Sequence, residues 1–297
     1  MFHLEGSSEI LRNAAVLSHP YLDDPGSVSS ESLRTAYLKF LRELAGSGDY
    51  ADYLDGRLKQ RDAENGADGA GAGDATEMLF TDSSLEIGIL GAIFGNPDKS
   101  GPDQFSPASA WQLEKCRDGG EFLARRDPQL AGLITLLTHT VFTVQTSWRG
   151  SMSDRRAIGA TLIIPGEHWH ENDIAEAFIH EFTHTALFLD ERAKGHFRVG
   201  ADEVLLHSAI RKDERTLPAV VHSLLVATEV LSWRTAHGLW DTIPFRLHGS
   251  SREMLEKARD SHRTLVSLPN WHADEGGIVK ERMFQLVAAA GSRLETF

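Results

Sequence analysis

Five consecutive residues, His180-Glu181-Phe182-Thr183-His184, carry the strongest chemical signal in the chain. They spell H-E-x-x-H. On a helix, residues four apart share one face, so both imidazoles can reach one metal ion while the glutamate lies beside it. Two imidazoles and a carboxylate on one turn of a buried helix are costly to desolvate without a common partner. The motif therefore predicts a metal site with His180 and His184 as ligands and Glu181 as a candidate catalytic residue.

The surrounding sequence predicts the elements that position this motif. Residues 174–189 contain no Gly or Pro, and their apolar side chains recur at helical spacing. Asp173 is the predicted N-cap, with Glu176 as its capping-box carboxylate, and the helix should end near Gly195. Upstream, the apolar run 157–164 predicts a strand, because a Pro-Gly pair follows it. The motif therefore belongs to a strand–turn–helix unit, which is where zinc peptidases carry it.

A catalytic metal usually takes three protein ligands and keeps one position open for water or substrate. Two later residues, Glu203 and His222, are candidates for the third ligand. Glu203 has a second interpretation, as a solvated charge beside Asp202. His222 lies inside a predicted apolar helix that begins at Leu217, with Thr216 as its N-cap. We favour His222, because a buried histidine near two others prefers a metal.

Two arginines precede the His222 helix. Arg211 and Arg215 lie four residues apart, and Asp213 and Glu214 stand between them. One interpretation makes them surface arginines that pair with these carboxylates, which contributes little to stability. The other makes them an anion clamp beside the metal, because a guanidinium offers a planar fork that matches a carboxylate.

Three stretches together resemble a known family. Residues 175–184, 208–217 and 221–222 look like the HEXXH-motif peptide-modification proteins, which are iron- and α-ketoglutarate (2-oxoglutarate)-dependent peptide β-hydroxylases found with ribosomally made, modified peptides. The resemblance covers roughly residues 150–240. It implies Fe(II) bound by His180, His184 and His222, and 2-oxoglutarate chelating the metal with its distal carboxylate bound by Arg211 or Arg215.

Three functions remain open from the residues alone. The first is Fe(II)- and 2-oxoglutarate-dependent β-hydroxylation of a side chain in a peptide or amino-acid-derived substrate, which is the expectation that we favour. The second is a zinc metallopeptidase, in which Glu181 would act as general base on a metal-bound water. The third is a non-catalytic peptide-binding maturation protein whose metal is structural.

Composition limits the compartment and the partners. The formal net charge is −13 over 297 residues, and no stripe of Lys and Arg is visible, so nucleic acid is not an expected partner. The one cysteine, Cys116, excludes a disulfide within the chain. No apolar run approaches the roughly 18 residues of a membrane span. We expect a cytoplasmic protein that binds a peptide or small molecule, with a homodimer as one alternative for its oligomeric state.

The order of predicted elements indicates the fold class. Helices dominate, a few short strands lie in the middle, and there is no alternating series of strands and helices. This order predicts a mainly α (α+β) fold with a small antiparallel sheet next to the metal helix. The predicted organisation is an N-terminal helical region at 1–65, a loop-rich segment at 66–107 and a metal-binding catalytic domain at 108–297.

Overall fold

The computed structural model describes residues 1–23, 29–66, 80–81, 89–91, 93–94, 105–240 and 245–297. The chain forms two compact units. One consists of Leu11–Thr185 and is called here the N-terminal unit. The other consists of Met1–Ile10 together with Ala186–Phe297 and is called the C-terminal unit. Both divisions between the units fall inside helices, and the domain boundaries expected from the sequence stay a prediction.

The predicted mainly α (α+β) class is confirmed. The helices are α1 (Phe2–Glu5), α2 (Ser7–Ser18), α3 (Ser30–Ala45), α4 (Asp49–Gly66), α5 (Ala110–Arg126), α6 (Pro128–Leu137), α7 (Glu171–Lys194), α8 (Leu217–Ala236), α9 (Ser251–Val266) and α10 (Glu281–Glu295). The strands are β1 (Phe80–Thr81), β2 (Ser106–Pro107), β3 (Thr140–Phe142), β4 (Val144–Gln145), β5 (Gly150–Ser153), β6 (Ala160–Ile164), β7 (Leu205–His207) and β8 (Glu214–Thr216).

The main sheet of the N-terminal unit is mixed, which corrects the expected antiparallel sheet. Its strand order is β1-β3-β6-β5. Strands β1 and β6 run parallel to β3, whereas β5 runs antiparallel to β6. A short loop reverses the chain between β5 and β6, which makes these two strands antiparallel. The chain between β3 and β6 includes β4 and β5, and β6 again runs in the direction of β3. All five residues of β6 are buried, so β6 forms the centre of the sheet just before the chain enters α7.

A buried polar chain joins α4 to the sheet. The hydroxyl of Tyr50 lies 2.9 Å from Nε2 of His139, whose Nδ1 lies 2.9 Å from Oγ1 of Thr140. The hydroxyl of Tyr53 lies 2.6 Å from the same Oγ1. Burial, followed by the nearby charge of Arg57, lowers the pKa of His139 to about 3. His139 is therefore neutral at physiological pH, and each of its ring nitrogens has a hydrogen-bond partner.

The C-terminal unit is built around α8, in which nearly every residue from Val220 to Arg234 is buried. A buried ionic cluster joins the end of α7 to α10. Both oxygens of Asp190 accept hydrogen bonds from Arg282, at 2.7 and 2.8 Å, and His196 Nε2 lies 2.7 Å from Asp190 Oδ2. Burial raises the pKa of Asp190, but the hydrogen bonds from His196 and Arg282 outweigh it and hold that pKa well below its usual range. Arg282 also pairs with Glu5 of α1.

Two helix starts have clear local causes. The N-cap of α3 is Ser29, whose side chain accepts a hydrogen bond from the backbone N–H of Ser32. Helix α10 begins at Glu281, just after Val279 forms a β-bridge with Phe197. Most of the predicted loop-rich segment 66–107 lies outside the described residues. Among the helices described, none is long and apolar enough to cross a membrane.

Candidate metal centre

Helix α7 carries the H-E-x-x-H motif and begins at Glu171, two residues before its predicted cap. The carbonyl of His170 accepts the backbone N–H groups of Asp173 and Ile174 at 3.0 and 3.3 Å. The Asp173 carboxylate accepts the N–H of His170 at 3.0 Å. His170 is therefore at the N-cap position, and Asp173 is the third residue of the helix, whose side chain accepts a hydrogen bond from the N-cap backbone. Its negative charge still favours this end of the helix, where backbone N–H groups lack partners.

The other end of α7 agrees with the sequence. The helix ends at Lys194, and Gly195 follows with φ of +71°. The Gly195 N–H donates to the carbonyl of Glu191 at 2.7 Å, a closure that a left-handed glycine permits at low cost. Between its ends, α7 buries Phe178 and Phe182, each 2% exposed. The predicted apolar stripe thus anchors the helix in the protein and fixes the rotation of its motif.

Within this helix the structure brings three potential ligands together. The nearest ligand atoms of His180, Glu181 and His184 all lie within 4.8 Å of one another. The two imidazole rings have centroids 5.1 Å apart and planes inclined by 57°. Nε2 of His180 lies 3.8 Å from Oε1 of Glu181. The His180 side chain is 12% exposed and that of Glu181 only 1%, so the histidines are accessible from outside while the carboxylate lies within the protein.

The donor set and its spacing fit a divalent transition metal. Two ligands on one tetrahedral metal with bonds of roughly 2.1 Å lie about 3.4 Å apart. Small side-chain rotations would bring atoms that are within 4.8 Å to that separation. Imidazole nitrogens with a carboxylate suit iron and zinc equally. The arrangement is thus chemically competent for a metal-dependent reaction, and the ligand types alone do not select the metal.

The two candidates for a third ligand belong to the C-terminal unit. His222 lies in α8, is 8% exposed, and has its ring centroid 5.6 Å from that of Phe188 at an angle of 43°. Its apolar surroundings agree with the sequence, since Val221 and Leu225 are fully buried. Glu203 ends a short 3₁₀ turn and is exposed, as expected for a solvated charge. The role of His222 as a metal ligand remains a prediction.

The two arginines differ in the structure. Arg215 lies on β8 and donates from Nε and a terminal nitrogen to Asp213, at distances of 2.7 to 3.0 Å. This hydrogen bond raises the pKa of Arg215 and lowers that of Asp213. Arg211 is exposed in the turn between β7 and β8, and among the described residues its guanidinium forms no ion pair. Arg215 thus has the carboxylate partner that the surface interpretation gave it, whereas Arg211 keeps its guanidinium available.

Cys116 is buried, and its sulfur lies 3.2 Å from Oγ1 of Thr143. Burial raises the pKa of the Cys116 thiol to about 12. A thiol that stays protonated is a poor nucleophile, which agrees with the expectation that Cys116 takes no part in the chemistry.

Sequence reasoning missed two residues of α5 that contact the start of α7. Lys115 binds the turn before the helix, and Gly119 packs against Ile174. A glycine inside a predicted helix is a recognisable signal of close approach. A lysine that binds backbone carbonyls leaves no such signal in the sequence.

Comparison of the chain with models of known protein families finds no match. Comparison with curated proteins likewise finds no relative.

Proposed function

We propose that this protein is a metal-dependent enzyme that hydroxylates a side-chain β-carbon of a peptide or amino-acid-derived substrate, using Fe(II) and 2-oxoglutarate. The observation that supports it most is the convergence of His180, Glu181 and His184 within 4.8 Å on one interior helix. The partial exposure of His180 beside the buried Glu181 suits an open catalytic site better than a closed structural one. The choice of hydroxylation rests on the family resemblance and on the cation at Arg211.

In this proposal His180 and His184 hold the metal, and His222 supplies the third ligand. Dioxygen would be the oxidant: with bound Fe(II), one of its oxygen atoms would enter the substrate C–H bond and the other would enter 2-oxoglutarate, which supplies two electrons and leaves as succinate and CO2. The contribution of the protein is to hold the metal and to orient 2-oxoglutarate and the substrate. The Arg211 guanidinium binds the distal carboxylate of 2-oxoglutarate, because its fork can donate two parallel hydrogen bonds. Arg215 contributes less, because it already binds Asp213.

Glu181 has a supporting role in the hydroxylase. Its carboxylate, 3.8 Å from Nε2 of His180, adds negative charge beside the metal ligands and raises the affinity for a cation. The proposal includes a cytoplasmic location, which is consistent with a chain that has one cysteine.

One observation favours a second candidate, a zinc metallopeptidase. A buried carboxylate adjacent to two potential ligands is what a general base needs in order to take a proton from a metal-bound water. Glu181 has this placement. In that case Glu181 would be indispensable, and Arg211 would not matter for cofactor binding.

Anaerobic reconstitution separates the two candidates. The protein is loaded with Fe(II), 2-oxoglutarate is titrated, and the visible charge-transfer absorption gives its dissociation constant. For a hydroxylase we expect this band in the wild type and roughly 100-fold weaker 2-oxoglutarate binding in Arg211→Ala, from the loss of a charge-assisted bidentate contact of about 3 kcal/mol. Arg252→Ala, which removes an exposed arginine of α9, is the control and should bind as the wild type does.

If no band forms in the wild type, hydroxylation is refuted. If the band forms but Arg211→Ala binds 2-oxoglutarate as the wild type does, the role of Arg211 is wrong. A peptidase instead predicts Zn(II)-dependent cleavage of peptides that Glu181→Gln abolishes.

A further inference from the structure

A lysine of α5 holds the turn that leads into the metal helix. Nζ of Lys115 lies 2.7 Å from the carbonyl oxygen of Glu167 and 2.6 Å from that of Trp169. Both carbonyls accept a hydrogen bond from the same ammonium group. Contacts from a cation are stronger than those between neutral groups. The ammonium therefore fixes two points of the main chain that lie four and two residues before the start of α7.

The turn at residues 166–169 is closed by its own hydrogen bond, so a restraint on its carbonyls also restrains the start of α7. The N–H of Trp169 donates to the carbonyl of Gly166 at 3.1 Å, and the Trp169 side chain is 9% exposed. A Cβ atom at Gly166 would lie only 2.9 Å from the Trp169 ring. His170 then connects to the helix through the Asp173 carboxylate. The chain has little freedom between the carbonyls that Lys115 binds and the first turn of α7.

The same face of α5 makes a second contact one helical turn later. Gly119, four residues after Lys115, packs so closely on α7 that a Cβ atom there would lie 2.3 Å from Ile174 Cβ. Residues four apart share a helix face, so Lys115 and Gly119 act on α7 together. The lysine restrains the turn from which the helix starts, and the glycine determines how closely the two helices approach.

We propose that Lys115 is a positioning residue for the metal ligands, an inference that rests on the proposed metal centre. No residue between the first turn of α7 and His180 is Gly or Pro, so the helix moves as a rod and carries a displacement of its start to the imidazoles. Displacements of about 1 Å remote from the chemistry can cost orders of magnitude in rate. A lysine that only stabilises the loop would lower the melting temperature and leave metal binding by the folded protein unchanged.

The test uses Co(II) as the probe metal and the full-length chain. Lys115→Met keeps most of the side-chain length and removes the donors, while Lys115→Arg restores donors to both carbonyls. The matched control is Lys59→Met, at an exposed position of α4 in the same unit. Competition with a chelator, well below the melting temperature, gives the Co(II) dissociation constant, and the visible Co(II) bands report ligand geometry.

We expect Lys115→Met to bind Co(II) roughly tenfold more weakly, the lower end of the loss seen when groups that orient ligands are removed, with altered visible bands. Lys115→Arg should recover most of the affinity, and Lys59→Met should match the wild type. Should Lys115→Met fail to fold, Lys115→Gln, which keeps a donor for one carbonyl, takes its place. If Lys115→Met binds Co(II) with wild-type affinity and spectrum, the positioning role is wrong while the metal centre stands. If the wild type itself binds no Co(II), both proposals fall.

Discussion

Replacing Gly119 by alanine tests how closely α5 and the metal helix are packed. An added Cβ would lie 2.3 Å from both Cβ and Cγ2 of Ile174, whereas carbon atoms in contact prefer roughly 3.5 to 4.0 Å. A displacement of more than about 1 Å is therefore required. Because Cβ of Ile174 is attached to the backbone, a change of rotamer cannot relieve the overlap, and the helices must separate.

The expected change in the free energy of unfolding of Gly119→Ala follows from two opposing effects. Overpacking a well-filled core costs about 1–3 kcal/mol, and the backbone-bound obstacle at Ile174 places Gly119→Ala at the upper end. Alanine inside a helix gains roughly 1 kcal/mol over glycine. We therefore expect a net destabilisation of about 2 kcal/mol. Gly132→Ala in α6 is the control, because a Cβ there meets nothing within 4 Å. It should stabilise the protein by up to about 1 kcal/mol.

Urea denaturation of the two variants measures both effects. A double-mutant cycle with Ile174→Ala completes the assay, because the new methyl group partly fills the space that the isoleucine leaves. The double variant should be more stable than the sum of the single changes predicts, with a coupling of about 1–2 kcal/mol. If Gly119→Ala stabilises the protein as much as Gly132→Ala does, the close approach is refuted.

Three further predictions concern charged and titratable groups. Arg282→Ala should destabilise the protein by about 3 kcal/mol in urea denaturation, because buried Asp190 loses the two donors of Arg282 and keeps His196 and Lys194, and Arg282→Lys should lose less. Because burial lowers the pKa of His139 from 6.5 to about 3, unfolding takes up a proton in this range, and stability should fall as pH drops from about 6.5 toward 3, by up to about 1.4 kcal/mol per unit. His139→Gln should show a flatter pH dependence in parallel urea titrations, and an unchanged slope would contradict this origin. His180→Ala should abolish stoichiometric Co(II) binding at micromolar protein, as measured by metal analysis after gel filtration, because the two proposed ligands that remain, His184 and His222, cannot hold the ion alone.

The clustering of His180, Glu181 and His184 could be predicted from the sequence because its geometry is local. His180 and His184 lie four apart on a helix, and the helix period alone brings them together. The end of α7 was readable for the same reason, since Gly195 takes a left-handed conformation that few other residues adopt cheaply. The start of α7 was predicted three residues too late, because an aspartate can act either as the N-cap or as the third helical residue that accepts a hydrogen bond from the N-cap backbone. Only the hydrogen bond from His170 distinguishes the two roles.

The strand directions and the helix–helix contacts depend on residues that are distant in the sequence. The β-branched pattern of β6 predicts a buried strand but contains no information on whether its neighbour β3 is parallel. The pairing of Asp190 with Arg282 joins positions 92 residues apart. The close packing at Gly119 could be predicted in part. A glycine in a helix interior indicates that another element packs closely there, but the sequence does not show which element it is.

Arg211 and Arg215 show how far the local sequence can predict which arginine binds an external anion. In the sequence they are equivalent, since each is one or two residues from an acidic side chain. In the structure Asp213 pairs with Arg215, because Asp213 closes the turn that joins β7 to β8 and its carbonyl accepts the N–H of Ser208 at 2.8 Å. The carboxylate is thereby delivered to the arginine on β8, and Arg211, within the turn, is left for an external anion. An incoming carboxylate would have to displace Asp213 in order to bind Arg215. At Arg211 no ion pair within the described part of the chain has to break, and this asymmetry is why the cofactor-binding test separates the two arginines.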